Sequence, residues 1–237
     1  MMDFRPLIAE YWQAQFAGDA LGPESCTVSD SLPHKRPAMI LTRDGAPTRM
    51  TVRPELAKCL GQGSPTSPSI ADLKAMLIRF GITFHDPDHL FYLAEGEPLP
   101  IPSRSARKLM PDDRGAFDTF HDEAPEQDRE DAFVEWDHWA VFGCFDGDRL
   151  ISAASAILWE NSPFADLGVL TLPDARGKGA ARAVVLAILD FVRSQGLEPQ
   201  YRCQIDNAAS VALAKACGQR LYGQWIVAAE PPSQCQI

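Results

Sequence analysis

Apolar positions along the chain change period several times, and each change marks an element. Phe4, Leu7, Ile8, Tyr11, Trp12 and Phe16 recur at helical spacing within residues 3–17. Two short apolar runs, 38–42 and 48–52, flank Asp44-Gly45 and predict a hairpin. Residues 71–80 are helical and stop at Gly81, and 90–93 are strand-like. Proline, glycine and serine then interrupt the pattern at 61–69 and, more strongly, at 95–105, where a domain boundary is expected.

Beyond that boundary a short strand at 106–110 precedes two acidic amphipathic helices, one carrying Phe117, Phe120 and Ala124, the other Ala132, Phe133 and Trp136. Strands at 139–145 and 150–158 surround Asp146-Gly147-Asp148-Arg149, a hairpin turn, and a third run, 167–172, follows Asn161-Ser162-Pro163. Residues 180–195 are apolar on nearly every side, so this helix is expected to be covered on more than one face. Gly196 ends it, and Tyr201, Cys203 and Ile205 alternate with polar residues as another strand, which implies a parallel crossover. Asn207 caps a helix over 208–217 that ends at Gly218, and 220–227 is a closing strand. The expected fold class is α/β with a mixed sheet (α+β) over residues 104–230, preceded by a smaller α/β region over 1–100.

At 237 residues, 46% apolar and 23% charged, the chain has the composition of a globular protein. A formal charge of −10 argues against general nucleic-acid binding, because neutralising phosphates supplies most non-specific affinity. No apolar run is long enough for a membrane span, and the first ten residues lack the pattern of a signal peptide, so a cytoplasmic protein is expected. The six cysteines include no C-x-x-C pair and are expected to be reduced. His85 and His89 have ligand-like spacing, but Pro87 between them breaks the helix that would align them, and no metal site is expected.

The chemistry concentrates in Asp174-Ala175-Arg176-Gly177-Lys178-Gly179-Ala180-Ala181-Arg182, which joins a strand to a helix. Unpaired N–H groups and the helix dipole at such a junction bind anions, glycine lets an oxygen approach the backbone, and Arg176, Lys178 and Arg182 add positive charge. Phosphate is the expected guest. The spacing fits neither a P-loop, which needs G-x-x-x-x-G-K-[ST], nor a dinucleotide fingerprint, which needs glycine or alanine where Arg182 stands.

Arg176 to Ala181 do match the [QR]-x-x-G-x-[GA] signature of the GNAT N-acetyltransferases, and about half of the chain resembles that family. The resemblance extends through the apolar strand ending Val169-Leu170-Thr171-Leu172-Pro173, the long helix, the strand to Ile205, and Asn207-Ala208-Ala209-Ser210. It implies a GNAT-like acyl-CoA N-acyltransferase fold, with acetyl-CoA as the acyl donor and an amine as acceptor. The pantetheine arm would pair with Val169, Leu170 and Thr171. The N–H groups of Gly177, Lys178, Gly179, Ala180, Ala181 and Arg182 would hold the pyrophosphate, with Asn207 and Ser210 also at the cofactor. No metal is implied, and a homodimer is compatible with the sequence.

Attack by an amine of pKa near 10.4 needs a proton acceptor, since deprotonation at pH 7 costs roughly 4 to 5 kcal/mol. Glu160 and Asp166 are the expected bases. Ala214 stands where many relatives carry a general-acid tyrosine, and Tyr222 is the substitute donor. Between Asp112 and Asp137 there are eleven acidic residues against two basic ones, favouring a small cationic amine as acceptor. Two alternatives stay open: a catalytically silent CoA-binding sensor or assembly module, and an unrelated α/β protein whose glycine loop is incidental. Finally, Thr51-Val52-Arg53-Pro54, Gly61, Gly63, the helix to Gly81 and the following strand repeat the order of the cofactor-binding unit without its signature. A degenerate GNAT-like copy, serving as a cleft wall or interface, is expected there.

Overall fold

Turn residues break the chain into short elements in the computed structural model, which describes residues 4–21, 25–61, 68–159 and 161–229. In order these are α1 (Pro6–Gln15), β1 (Asp19–Ala20), β2 (Cys26–Val28), β3 (Ala38–Thr42), β4 (Arg49–Val52), α2 (Pro54–Gly61), α3 (Ile70–Arg79), β5 (Asp88–Leu93) and β6 (Arg107–Lys108). There follow α4 (Arg114–Glu123), α5 (Glu126–Ala132), β7 (Ala140–Asp146), β8 (Arg149–Leu158), β9 (Phe164–Thr171), α6 (Ala180–Ser194), β10 (Glu198–Gln204), α7 (Ala208–Ala216) and β11 (Gln219–Val227).

These elements form two compact units that interleave in sequence. Unit 1 comprises Met1–Arg5, Phe91–Arg202 and Asn207–Arg220; unit 2 comprises Pro6–Leu90, Cys203–Asp206 and Leu221–Ile237. The division therefore differs from a simple break near residue 100. The closing strand explains the difference: Gln224 to Val227 of β11 pair antiparallel with Thr42 to Met39 of β3, which places the end of the chain in unit 2.

In unit 1 the strand order is β10-β9-β8-β7-β6. β8 pairs antiparallel with β7 and β9, and β6 pairs antiparallel with β7. Gly147, with φ 60, supplies the left-handed turn between β7 and β8. β9 and β10 are parallel, as a crossover through α6 requires. Val184, Val185, Ile188, Leu189 and Val192 of α6 are fully buried, and the helix packs on β7, β8 and β9. Side chains alternate along a strand, so Phe142, which meets Phe191 of α6, shares a face with its ladder partners Ala154 and Val169. Gly168 points to the other face, where α5 lies; a Cβ there would stand 2.3 Å from the Ala132 carbonyl oxygen. Glu198 is fully buried but paired with Arg5 at 3.0 Å and Arg193 at 2.8 Å, as a buried carboxylate must be.

Unit 2 has the order β1-β2-β4-β3-β11, with β2 parallel to β4 and the other pairs antiparallel. Leu56 and Leu60 of α2 and Leu73 and Leu77 of α3 close its core over Ile40, Met50 and Val52. Ser69 caps α3 and Asp72 completes a capping box, which sets where that helix begins. The repeat expected in this region is not reproduced in the sheet. β4 leads into α2 and α3, but its neighbours are β2 and β3, so β2 takes the parallel position that a copy would give to β5. Gly63, part of that expectation, lies outside the described residues.

Replacing Gly168 with alanine should destabilise the chain by about 1–3 kcal/mol, the usual cost of overpacking, since backbone rather than a flexible side chain blocks the new methyl group. Urea unfolding checks this; a midpoint equal to that of the unaltered chain would mean that α5 moves away freely.

Candidate functional site

The parallel ladder between β9 and β10 runs from Phe164–Glu198 to Leu167–Tyr201 and stops. β9 continues to Thr171 and keeps its antiparallel partners on β8, from Gly168–Ser155 to Thr171–Ser152. The edge of Gly168 to Thr171 that faces away from β8 therefore carries main-chain groups outside the ladder, available to an extended ligand.

After β9 the chain makes a short 3-10 turn at Pro173–Ala175 and enters the glycine loop. Gly177 (φ 73) and Gly179 (φ 81) are both left-handed, a conformation that costs L-residues about 1–2 kcal/mol and explains glycine at these two positions. Gly179 is the N-cap of α6, and no side chain caps that helix. The first intrahelical bond is Ala183 N–H to Gly179 O at 3.1 Å, so the N–H groups of Ala180, Ala181 and Arg182 have no acceptor within the helix. They form a partial positive charge open to an oxyanion.

A groove of about 420 Å³ joins these features. Its walls are Val169, Leu170 and Thr171 of β9; Arg176, Gly177, Gly179, Ala180 and Ala181 of the loop and α6; Asn207, Ala209, Ser210 and Leu213 at α7; and Asp128, Asp131 and Ala132 of α5. Lys178 and Arg182 are not on the lining. The Lys178 side chain is exposed, and the Arg182 guanidinium donates to the carbonyls of Ala216 at 3.0 Å and Ile101 at 3.2 Å, tying neighbouring segments to the helix start. Asn207 Oδ1 accepts from Ser210 N–H at 3.0 Å, so its capping role is realised while both residues line the groove.

The groove has two carboxylates that no loop motif predicts. Asp128 Oδ2 lies 2.5 Å from Arg176 Nη2, which offsets its charge beside the loop; Asp131 accepts from Gln127 at 2.9 Å. Below the loop, Arg149 bridges Asp174 and Glu123, each at 2.7 Å, and its guanidinium holds the exposed Asp174 carboxyl below the ordinary carboxylate range.

The expected proton-transfer residues are not gathered there. Asp166 is buried, with both carboxylate oxygens accepting from Arg202 Nε at 3.1 Å, Oδ2 also from Arg202 Nη2 at 2.7 Å, and Oδ1 from Gln200 Nε2 at 3.1 Å. It is not among the residues of the groove wall. Glu160 lies outside the described residues. Tyr222 belongs to unit 2, where it is buried; burial pushes its phenol up, against the pull of Arg43 and Arg49. Ala214 is fully buried, and burial pushes the neighbouring Cys217 thiol up to about 12, so it is a packed thiol rather than a nucleophile.

Residues 107–219 match the model of the acetyltransferase (GNAT) family. The chain carries a GNAT-family acetyltransferase domain. The match begins at β6 and ends at the first residue of β11, so it contains the groove and the glycine loop. Among solved structures, a GNAT-family protein from Novosphingobium aromaticivorans aligns at 16% identity over 78% of this chain and 84% of its own, with a TM-score of 0.51. An acetyltransferase from the GNAT family from Colwellia psychrerythraea aligns at 17% identity over 76% of each chain, with a TM-score of 0.50. At these identities the likeness is one of fold. No curated protein matches the chain. Acyl transfer is thus the activity of the GNAT domain, and the family's general donor is acetyl-CoA. The residues present suit such a donor: an uncapped helix start behind two left-handed glycines for the pyrophosphate, and an unpaired strand edge for an extended arm. Among the described residues no cluster of three His, Cys, Asp or Glu side chains is arranged to hold a metal ion, and no helix is long and apolar enough to cross a membrane.

One further polar pair was not signalled by any motif. His138 Nδ1 lies 2.8 Å from Ser155 Oγ, and Ser155 is the ladder partner of Gly168. Burial lowers the His138 pKa below 6.5, partly opposed by Asp137 and Glu135. A histidine depressed in the folded state contributes stability above its unfolded pKa and loses it as pH falls through the folded value. Stability should therefore fall between pH 7.5 and 5.5 by less in His138→Gln than in the unaltered chain. Urea unfolding at the two pH values measures this, and equal slopes would show that the imidazole is not held neutral by the fold.

Proposed function

We propose that the GNAT domain transfers the acetyl group of acetyl-CoA to the nitrogen of an amine acceptor, a small cationic amine being favoured. The observation that carries this reading is the uncapped start of α6, reached through Gly177 and Gly179, beside the free edge of β9 at one groove. In this scheme the N–H groups of residues 177–182 hold the pyrophosphate, and Val169 to Thr171 orient the pantetheine arm by main-chain bonds. A main-chain N–H next to Leu170, on the edge of β9 turned away from β8, polarises the thioester carbonyl and receives the charge that develops as nitrogen attacks. The C–N bond forms, the C–S bond breaks, one proton leaves the amine and one reaches the thiolate.

Asp166 and Glu160 are the proposed acceptors of the amine proton. Because Arg202 and Gln200 occupy both oxygens of Asp166, its contribution is electrostatic or through water. Asp131 on the groove wall and the acidic faces of α4 and α5 support a cationic acceptor. A second reading, a CoA-binding module without turnover, is favoured by Ala214, which offers no proton donor where family members carry tyrosine.

Calorimetric titration with acetyl-CoA distinguishes these readings. Gly179→Glu places a carboxylate at the helix start, as does Ala181→Asp, which suits the first turn of a helix and so keeps the fold. Both should weaken binding by at least about tenfold, from one opposed charge near the pyrophosphate. Absence of binding to the unaltered, folded chain would remove the acyl-CoA reading. Binding without thiol release across a panel of amines would favour the silent module.

A further inference from the structure

Between β5 and β6 the stretch Glu97-Pro98-Leu99-Pro100-Ile101-Pro102-Ser103-Arg104 forms neither helix nor strand, because its prolines remove N–H donors and fix φ. It precedes the residues that match the family model, yet it belongs to unit 1 and is tied along its length to the surroundings of the glycine loop. At its two ends Glu97 meets Arg220 at 3.3 Å and Arg104 meets Asp146 at 3.4 Å. Between them the Pro100 ring stands 3.2 Å from the place a Cβ would take on Gly218, and the Ile101 carbonyl accepts from Arg182 Nη1 at 3.2 Å.

Ser103 brings this strap to the start of α6. A Cβ on Gly179, the N-cap, would stand 2.8 Å from Ser103 Oγ, so the strap passes over the residue that leads into the free N–H groups of Ala180, Ala181 and Arg182. The Ser103 side chain is exposed, and its hydroxyl makes no hydrogen bond among the described residues. Ile101, two residues earlier, is 88% exposed, more than any other large apolar side chain described. Gly179 lines the groove while no strap residue does, so the strap borders the helix start from outside the groove.

We infer that Ile101 and Ser103 seat the adenosine end of the acetyl-CoA donor, a role that rests on the donor reading above and extends it to a segment outside the family match. Ile101 packs on the face of the base, and the Ser103 hydroxyl bonds an oxygen of the ribose phosphate. The pantetheine arm leaves the pyrophosphate along β9, inside the groove. The adenosine is joined to the other end of that pyrophosphate and leaves on the outer side, where the strap is the surface it meets. A purine has a flat apolar face that an exposed isoleucine can cover, and a hydroxyl without an internal partner keeps its hydrogen-bonding capacity for the ligand. The prolines and the ties at Arg182 and Gly218 hold the strap in place beforehand, so little order has to be gained on binding.

Calorimetry on the full chain compares acetyl-CoA with two fragments: S-acetyl-4′-phosphopantetheine, which lacks adenosine, and adenosine 3′,5′-bisphosphate, which lacks the pantetheine arm. Displacement of acetyl-CoA measures whichever fragment binds weakly. Ile101→Ser should weaken acetyl-CoA and the bisphosphate about tenfold, the effect of losing one aliphatic contact surface. Ser103→Ala should weaken the same two about fivefold, the effect of one hydrogen bond. Neither variant should change the affinity for the phosphopantetheine, and both replace exposed side chains, so the fold is kept. Equal weakening of all three ligands would mean that the strap only braces the loop, and unaltered acetyl-CoA affinity would mean that the donor does not touch it. Either result overturns the inference and leaves the donor reading standing, whereas absence of acetyl-CoA binding to the unaltered chain removes the donor reading and the inference with it.

Discussion

Burial of α6 on nearly every side is the constraint from which the site follows. A helix packed on β7, β8 and β9 through residues with no exposed surface cannot slide or rotate without opening the core, so its first turn is fixed in space. That turn is where the N–H groups lack partners. Two left-handed glycines bring the chain into it, and no side chain caps it. The core thus holds an uncompensated patch of partial positive charge beside the end of β9, a fixed feature that need not be assembled when an anion arrives.

Charge around the loop is distributed differently from what composition implies. Arg176, Lys178 and Arg182 stand close together in the motif, yet they do different things. Arg176 neutralises Asp128, Arg182 holds the carbonyls of Ala216 and Ile101, and Lys178 stays exposed. Affinity for an anion at this place therefore rests chiefly on main-chain N–H groups. This explains why the motif specifies glycine and alanine so closely while tolerating varied charges: the backbone path, and not the side chains, forms the cradle.

Periodicity and punctuation make the regular elements legible. The 180–195 pattern, apolar on nearly every side, corresponds to α6; the Asp146–Arg149 turn corresponds to the β7–β8 hairpin; and the Asp44-Gly45 hairpin, the helix ending before Gly81 and the closing strand all have counterparts. Strands β1 and β2, of two and three residues, are too short to show a period, and α2 is not distinguished from the turn-rich stretch that follows it. Sheet order escapes the pattern because it depends on pairing between distant segments: β11 joining β3, and β2 rather than β5 lying beside β4, leave no local trace. The same limit applies to the groove. The glycine loop is continuous in sequence and can be read directly, whereas Asp128 and Asp131 reach the groove only because Gly168 lets α5 approach β9.

Asp166 illustrates how a polar residue at such a place can serve the architecture. It lies one residue before the last rung of the parallel ladder, Leu167–Tyr201, and Arg202 follows immediately after that rung. Their bidentate pair therefore spans β9 and β10 at the vertex where the strands part, and Gln200, itself an acceptor from the Tyr92 hydroxyl, adds a further bond to the same carboxylate. Where ladder bonds cease, side-chain bonds continue across the gap, so the separation begins at a defined residue instead of fraying backwards. A fixed vertex in turn fixes which main-chain groups, from Gly168 to Thr171, stand free. The position of the unpaired edge relative to the start of α6 is thus set by two things, a buried helix and a clamped fork.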